Sequence, residues 1–226
     1  MQFFILVLLI CLFVFLYVVY SLSKDDLVIL RKNVSIESLF NTIFLMAFFS
    51  LFFSRLLFVL NNPRPVLHTI LGFVLFPYFP GLSLSGGLIG GLLFSYFYLK
   101  NRKMPLGRIL DFFSLGMLTI LPIGYLGEII LTGFSLRPLV LFLLYFIGSV
   151  LMLRLLFPLF LRGRIKDGSL SLILITLVSF FTLGGWFLDN NNFSKFIGTE
   201  NISFIIIICF TLGLFIFKEF ISLPKK

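Results

Sequence analysis

The chain has 226 residues, of which 60% are hydrophobic and 12% charged, and its formal net charge is +9. Soluble domains carry roughly a quarter charged residues, so this balance, with a mean hydropathy of +1.15, excludes a soluble globular protein and requires a membrane protein. The basic excess is gathered into alternate short connections, which makes it a topology signal with some attraction to anionic headgroups and excludes a nucleic-acid partner.

Apolar runs of about 20 residues identify membrane-spanning helices. In chain order they cover 2–22, 38–60, 82–99, 109–133, 138–161, 169–188 and 202–221. The expected architecture is therefore all-α, a polytopic membrane helical bundle of about seven transmembrane helices that forms a single integral-membrane domain over 1–226. No basic residue precedes the first run and no small-residue cleavage site follows it, so it reads as a retained anchor. His68 to Pro80 is too short to cross about 30 Å of hydrocarbon and is broken by prolines, which predicts an interfacial or re-entrant segment. "LDNNNF" at 188–193 is a turn-rich exit from the sixth run, and Trp186 beside it fits the interfacial aromatic belt. Cys11 and Cys209 fall mid-span in different helices, where they read as packing residues and imply neither a disulfide nor a metal site.

Thirteen of the 18 basic residues fall on one side of this pattern, in the first, third and fifth connections and at the C-terminal end. Only Arg64, Arg137 and Lys195 fall on the other side, and Arg55 and Arg154 lie within spans. By the positive-inside rule the N-terminus is expected outside and the C-terminus in the cytoplasm.

Ionisable groups inside a bilayer are costly, which makes Arg55 and Glu128 conspicuous. Both lie about five residues from the outer ends of their spans, and Ser85 about three from the outer start of its own, so all three sit roughly 5 to 8 Å deep, at the level of lipid phosphates. An ion pair or snorkelling would account for the two charges with no further role. The functional alternative makes Arg55 a phosphate anchor, since a guanidinium stays charged and offers paired donors. Next to Ser85, the run "SGGLIGG" at 85–91 puts Gly86 and Gly90, and likewise Gly87 and Gly91, four apart, which favours close helix packing. Gly86 and Gly87 also occupy the first turn of the span, after Ser83 and Ser85 as possible caps, where bare backbone N–H groups would meet an anion.

The stretch "GLSLSGGLIGGLLFSYFYLKNRKMPLGRILDFFSLGMLTILPIGYLGEI", 81–129, resembles the bacterial prolipoprotein diacylglyceryl transferases. In that family a Gly-Leu-Ser-Phe-His-Gly-Gly run opens a helix, and a basic loop leads to a helix ending in Gly-Arg-Ile-Gly-Asn-Phe. "SRLLFVLNNP" at 54–63 and "RKNVSIESLFN" at 31–41 are similar to its preceding segments, so the transferase-like core covers 31–133. The resemblance implies transfer of the diacylglyceryl group of phosphatidylglycerol to the lipobox cysteine thiol of a prolipoprotein signal peptide. It also implies a bacterial cytoplasmic (inner) membrane location and no metal or other cofactor. Ser85 stands where the family has His, Tyr125 and Glu128 where it has the Arg and Asn of Gly-Arg-Ile-Gly-Asn, and Gly185 and Asp189 where it has a later Arg and Glu. These departures bear on activity. The expected catalytic residues are Glu128, Ser85 and Tyr125, with Arg55, Gly86, Gly87 and Asp189 binding substrate; His68, the only histidine, is a surface residue or a substitute base. Two rivals use the same residues: a lipid-binding membrane protein without turnover, and a small transporter. The second is disfavoured by polar groups near one face rather than at the midplane.

Overall fold

The computed structural model describes residues 2–62, 69–74, 81–161, 163, 165–189 and 199–221, and among these every regular element is a helix. They are α1 (Gln2–Ser23), α2 (Leu27–Arg31), α3 (Ile36–Asn61), α4 (Ile70–Val74), α5 (Leu84–Asn101) and α6 (Leu106–Thr132). Then come α7 (Leu136–Leu161), α8 (Ser169–Asp189) and α9 (Thr199–Ile216), the last extended by a π-helical turn, Phe217–Ile221. Helices are what hydrocarbon demands, since backbone N–H and C=O groups must there be satisfied within the segment.

Each of the seven predicted spans falls on one helix. By length and composition five are long and apolar enough to cross a membrane: α1, α3, α6, α7 and α9. The chain is a multi-pass membrane protein. The other two spans fall on α5, whose 18 residues include four glycines, and on α8, whose apolar part runs only from Ser169 to Gly185. Of the segment 68–80, α4 supplies one short helix; His68 and 75–80 lie outside the described residues, as do 190–198.

The helix starts follow capping chemistry. Asp26 accepts from the N–H groups of Val28 and Ile29 at the head of α2, and Ser35 from Ser38 at the head of α3. Of the two serines expected to cap α5, Ser83 is the N-cap and accepts from Gly86 N–H at 3.3 Å. Within α7, Pro158 has no N–H to give, and the turn just before it, Met152–Leu156, widens to a π-helix.

Two compact units emerge. The first comprises Met1–Ile5 and Asp26–Leu106, and its core is the α3–α5 pair. Phe49 stacks on Phe94 with ring centroids 4.5 Å apart, and Phe94 on Tyr98 at 5.3 Å. The expected small-residue seam is present: Gly86 and Gly90 meet Phe53, and Gly87 and Gly91 meet Ser50.

The second unit holds Leu6–Asp25 and Gly107–Lys226. In it α1 lies on α6, with Phe15 tilted against Phe113 at 6.0 Å and Val7 filling the notch at Gly127. Between α8 and α9 the Thr176 and Thr211 hydroxyls meet at 2.7 Å. Where α6 and α8 begin and α9 ends, a polar hub ties three elements together. Asp111, fully buried, accepts from the N–H groups of Gly168 at 2.6 Å and Ser171 at 2.7 Å. It thus caps a helix that is not its own. Gly168 adopts φ +87°, a left-handed conformation that favours glycine, and the Lys218 ammonium bonds the Asp167 carbonyl beside it. Arg108 completes the hub, paired with Asp167 at 3.0 Å and lying 4.0 Å above the centre of the Phe160 ring.

Candidate functional site

In the first unit, the end of α3 and the start of α5 are clasped by reciprocal bonds. Ser54 Oγ donates to the Ser83 carbonyl at 2.7 Å, and Ser83 N–H to the Ser54 carbonyl at 3.1 Å. This clasp sets the position of Arg55, which is 2% exposed. Its Nη2 donates to the Gly72 carbonyl at 2.5 Å, Nε to that of Phe73 at 3.2 Å and Nη1 to that of Gly81 at 2.8 Å. The carbonyls of Gly72 and Phe73 belong to the last turn of α4, where intrahelical donors run out and a cation is favoured. Three neutral dipoles orient the guanidinium without cancelling its charge. Among the described residues no carboxylate forms an ion pair with it.

Ser85 is likewise buried, its hydroxyl 2.9 Å from that of Ser83. A β-carbon at Gly86 would lie 2.6 Å from the Phe53 carbonyl oxygen, and one at Gly87 would lie 3.2 Å from Ser50 Oγ. Both glycines therefore serve the α3 contact. At Gly124 of α6, by contrast, a β-carbon would meet nothing within 4 Å. Gly86→Ala is accordingly expected to cost about 1–3 kcal/mol through overpacking against backbone. Gly124→Ala is expected to be neutral or to stabilise by up to about 1 kcal/mol. Thermal unfolding of the two purified variants in one detergent checks the contrast.

In the second unit, the Tyr125 ring of α6 lies flat on the Tyr145 ring of α7, with centroids 5.4 Å apart and planes at 11°. Tyr145 is completely buried, and its hydroxyl lies 2.8 Å from Thr182 Oγ1 while donating to the Val178 carbonyl at 3.0 Å. Glu128 follows Tyr125 by three residues on α6 and is exposed, Arg137 is half-buried in the first turn of α7, and Glu200 is in the first turn of α9. All three lie within electrostatic reach of the Tyr125 hydroxyl. Gly185 abuts Leu141, whose side-chain atoms would come within 2.8 to 3.0 Å of a β-carbon there, so this position has no room for a longer side chain without repacking. Asp189 is the last residue of α8.

The predicted residues thus fall into two groups: Arg55, Ser85, Gly86 and Gly87 share the α3–α5 clasp of the first unit, and Tyr125 and Glu128 share the C-terminal part of α6 in the second. In the sequence pattern Arg137 stands only as a connecting-loop charge, and Tyr145 and Thr182 only as members of apolar runs. A signal existed for Tyr145: a phenol mid-span is off the interfacial belt and needs a buried partner.

The family model for prolipoprotein diacylglyceryl transferase matches residues 1–217. The chain belongs to this family. No curated protein matches it. Membership in a lipid-modifying family agrees with a multi-pass membrane protein.

Proposed function

We propose that this member of the transferase family moves the diacylglyceryl group of phosphatidylglycerol onto the lipobox cysteine thiol of a prolipoprotein, at the outer side of a bacterial cytoplasmic membrane. The thiol sulfur bonds to the glyceryl carbon, the bond from that carbon to the phosphate oxygen breaks, and glycerol phosphate leaves. Glu128 receives the thiol proton, and Tyr125, one turn before it on α6, is a further catalytic residue. Arg55 holds the phosphate beside Ser85 and the first turn of α5, whose Gly86 and Gly87 pack against α3, and Asp189 contributes to substrate binding.

The observation that carries this reading is the Arg55 guanidinium, buried, oriented by three carbonyls and not paired with a carboxylate among the described residues. A buried cation so placed is costly until an anion arrives, and two of its five N–H donors remain for phosphate oxygens. The test is incubation of the purified chain with labelled phosphatidylglycerol and a lipobox peptide. Thioether product is expected; its absence beside an active family member overturns the reading.

Ser85, Tyr125 and Gly185, at positions where the resemblance puts His and two Arg, favour a second reading, a lipid-binding scaffold without turnover. It predicts phosphatidylglycerol binding that Arg55→Lys weakens, with no product under any condition.

A further inference from the structure

Tyr145 is completely buried in the second unit, and the proposed chemistry does not use it. Its hydroxyl is pinned from the α8 side by two groups at once, the Thr182 hydroxyl and the Val178 carbonyl. Thr182 Oγ1 also lies 2.8 Å from that carbonyl, so the three oxygens form a triangle in which two hydroxyl protons are shared among three contacts. Phe181, also of α8, meets the Tyr145 ring in a T-shaped contact, with centroids 5.5 Å apart and planes at 70°. Tyr125 of α6 stacks on a face of the same ring. Parallel stacking fixes the plane of the second ring and brings the two phenol hydroxyls within reach of each other.

We infer that Tyr145 is a positioning residue, with Thr182 as its anchor: it sets the plane of Tyr125 and so presents the Tyr125 hydroxyl to the charged groups Glu128, Arg137 and Glu200. The catalytic half of this inference rests on the transferase reading; the geometric half does not. The pair acts as a rigid platform. A reacting phenol held within a few tenths of an ångström keeps its proton directed at the leaving oxygen, whereas a loosely held one spends most of its time misaligned.

The test uses the full chain carrying 3-fluorotyrosine in phosphatidylglycerol nanodiscs, with the Tyr125 fluorine resonance assigned through Tyr125→Phe. In Tyr145→Phe the ring stack survives but the hydroxyl contacts with Val178 and Thr182 are lost, so the resonance is expected to broaden while kcat falls only about threefold. In Tyr145→Leu the platform is gone, and the resonance is expected to shift or broaden while kcat falls about tenfold and KM stays within twofold. A merely structural role would move KM, yield and melting together without this split. An unchanged Tyr125 resonance in Tyr145→Leu overturns the inference, as does full activity of Tyr125→Phe for its catalytic half. If Tyr145→Leu does not fold, Thr182→Val releases the anchor instead, and an unmoved resonance there overturns the inference in the same way. A wild-type chain that forms no product defeats the transferase reading alone, because the resonance arm still decides whether Tyr145 holds Tyr125.

Discussion

Arg55→Lys is expected to lower diacylglyceryl transfer by about 100-fold or more, in line with the loss of one preorganised charged donor at a developing anion. The lysine keeps the charge but loses the planar fork, and one ammonium on a flexible stem cannot reach the carbonyls of Gly72, Phe73 and Gly81 and a phosphate together. Stability should fall less than activity, since the ammonium still satisfies some of these carbonyls. Arg55→Ala goes further. It strands three carbonyls in a buried place, each worth about 1–3 kcal/mol, and is expected to unfold the α3–α5 region as well as stop the reaction. Measuring transfer rate and thermal unfolding for both variants separates the two effects. A lysine variant with wild-type transfer would remove Arg55 from the chemistry and leave it only as the cation that ends α4.

The second large effect is expected far from that residue in sequence, at Asp111. Its two carboxylate oxygens accept from Gly168 and Ser171, and the side chain is wholly buried. Asp111→Ala leaves two N–H groups without partners and is expected to cost about 3–5 kcal/mol, the sum of two hydrogen bonds to a charged group with allowance for relaxation. In a chain of this length that is a drop in Tm on the order of 10 °C. Asp111→Asn should recover only part of the loss, because its amide nitrogen faces an N–H donor where an acceptor is needed. Thermal unfolding of the two variants in the same detergent checks both values; an alanine variant as stable as the parent would show that the hub does not hold α6 to the start of α8. Transfer measured below the melting point should change little in either variant, because the hub touches none of the proposed site residues.

The contrast between these residues shows what was legible beforehand. Arg55 stood out because a charge within an apolar run is expensive whatever surrounds it. Asp111 did not, since a carboxylate near the basic start of a span looks like a solvated end. Only folding reveals that it caps α8 across 57 residues of chain. The glycines of "SGGLIGG" show the intermediate case. Their four-residue spacing announces a close helix contact, yet it does not name α3 as the neighbour or separate packing from anion access at Gly86 and Gly87. The Tyr125 ring is similar: its departure from the family pattern is visible in the letters, but its seat on Tyr145 is not.

By itself the sequence determined that this protein is helical and crosses a membrane several times, where its long helices lie, which serine starts α5 within a choice of two, and which family it resembles. These follow from local rules, because hydrocarbon imposes length, apolarity and internally satisfied backbone on each segment separately. The tertiary structure alone decided that Arg55 is held by carbonyls, that Asp111 serves a distant helix and that Tyr125 rests on Tyr145. A hydrogen bond is made or lost over a few tenths of an ångström, and partners 17 to 60 residues apart reach that distance only after the helices have packed.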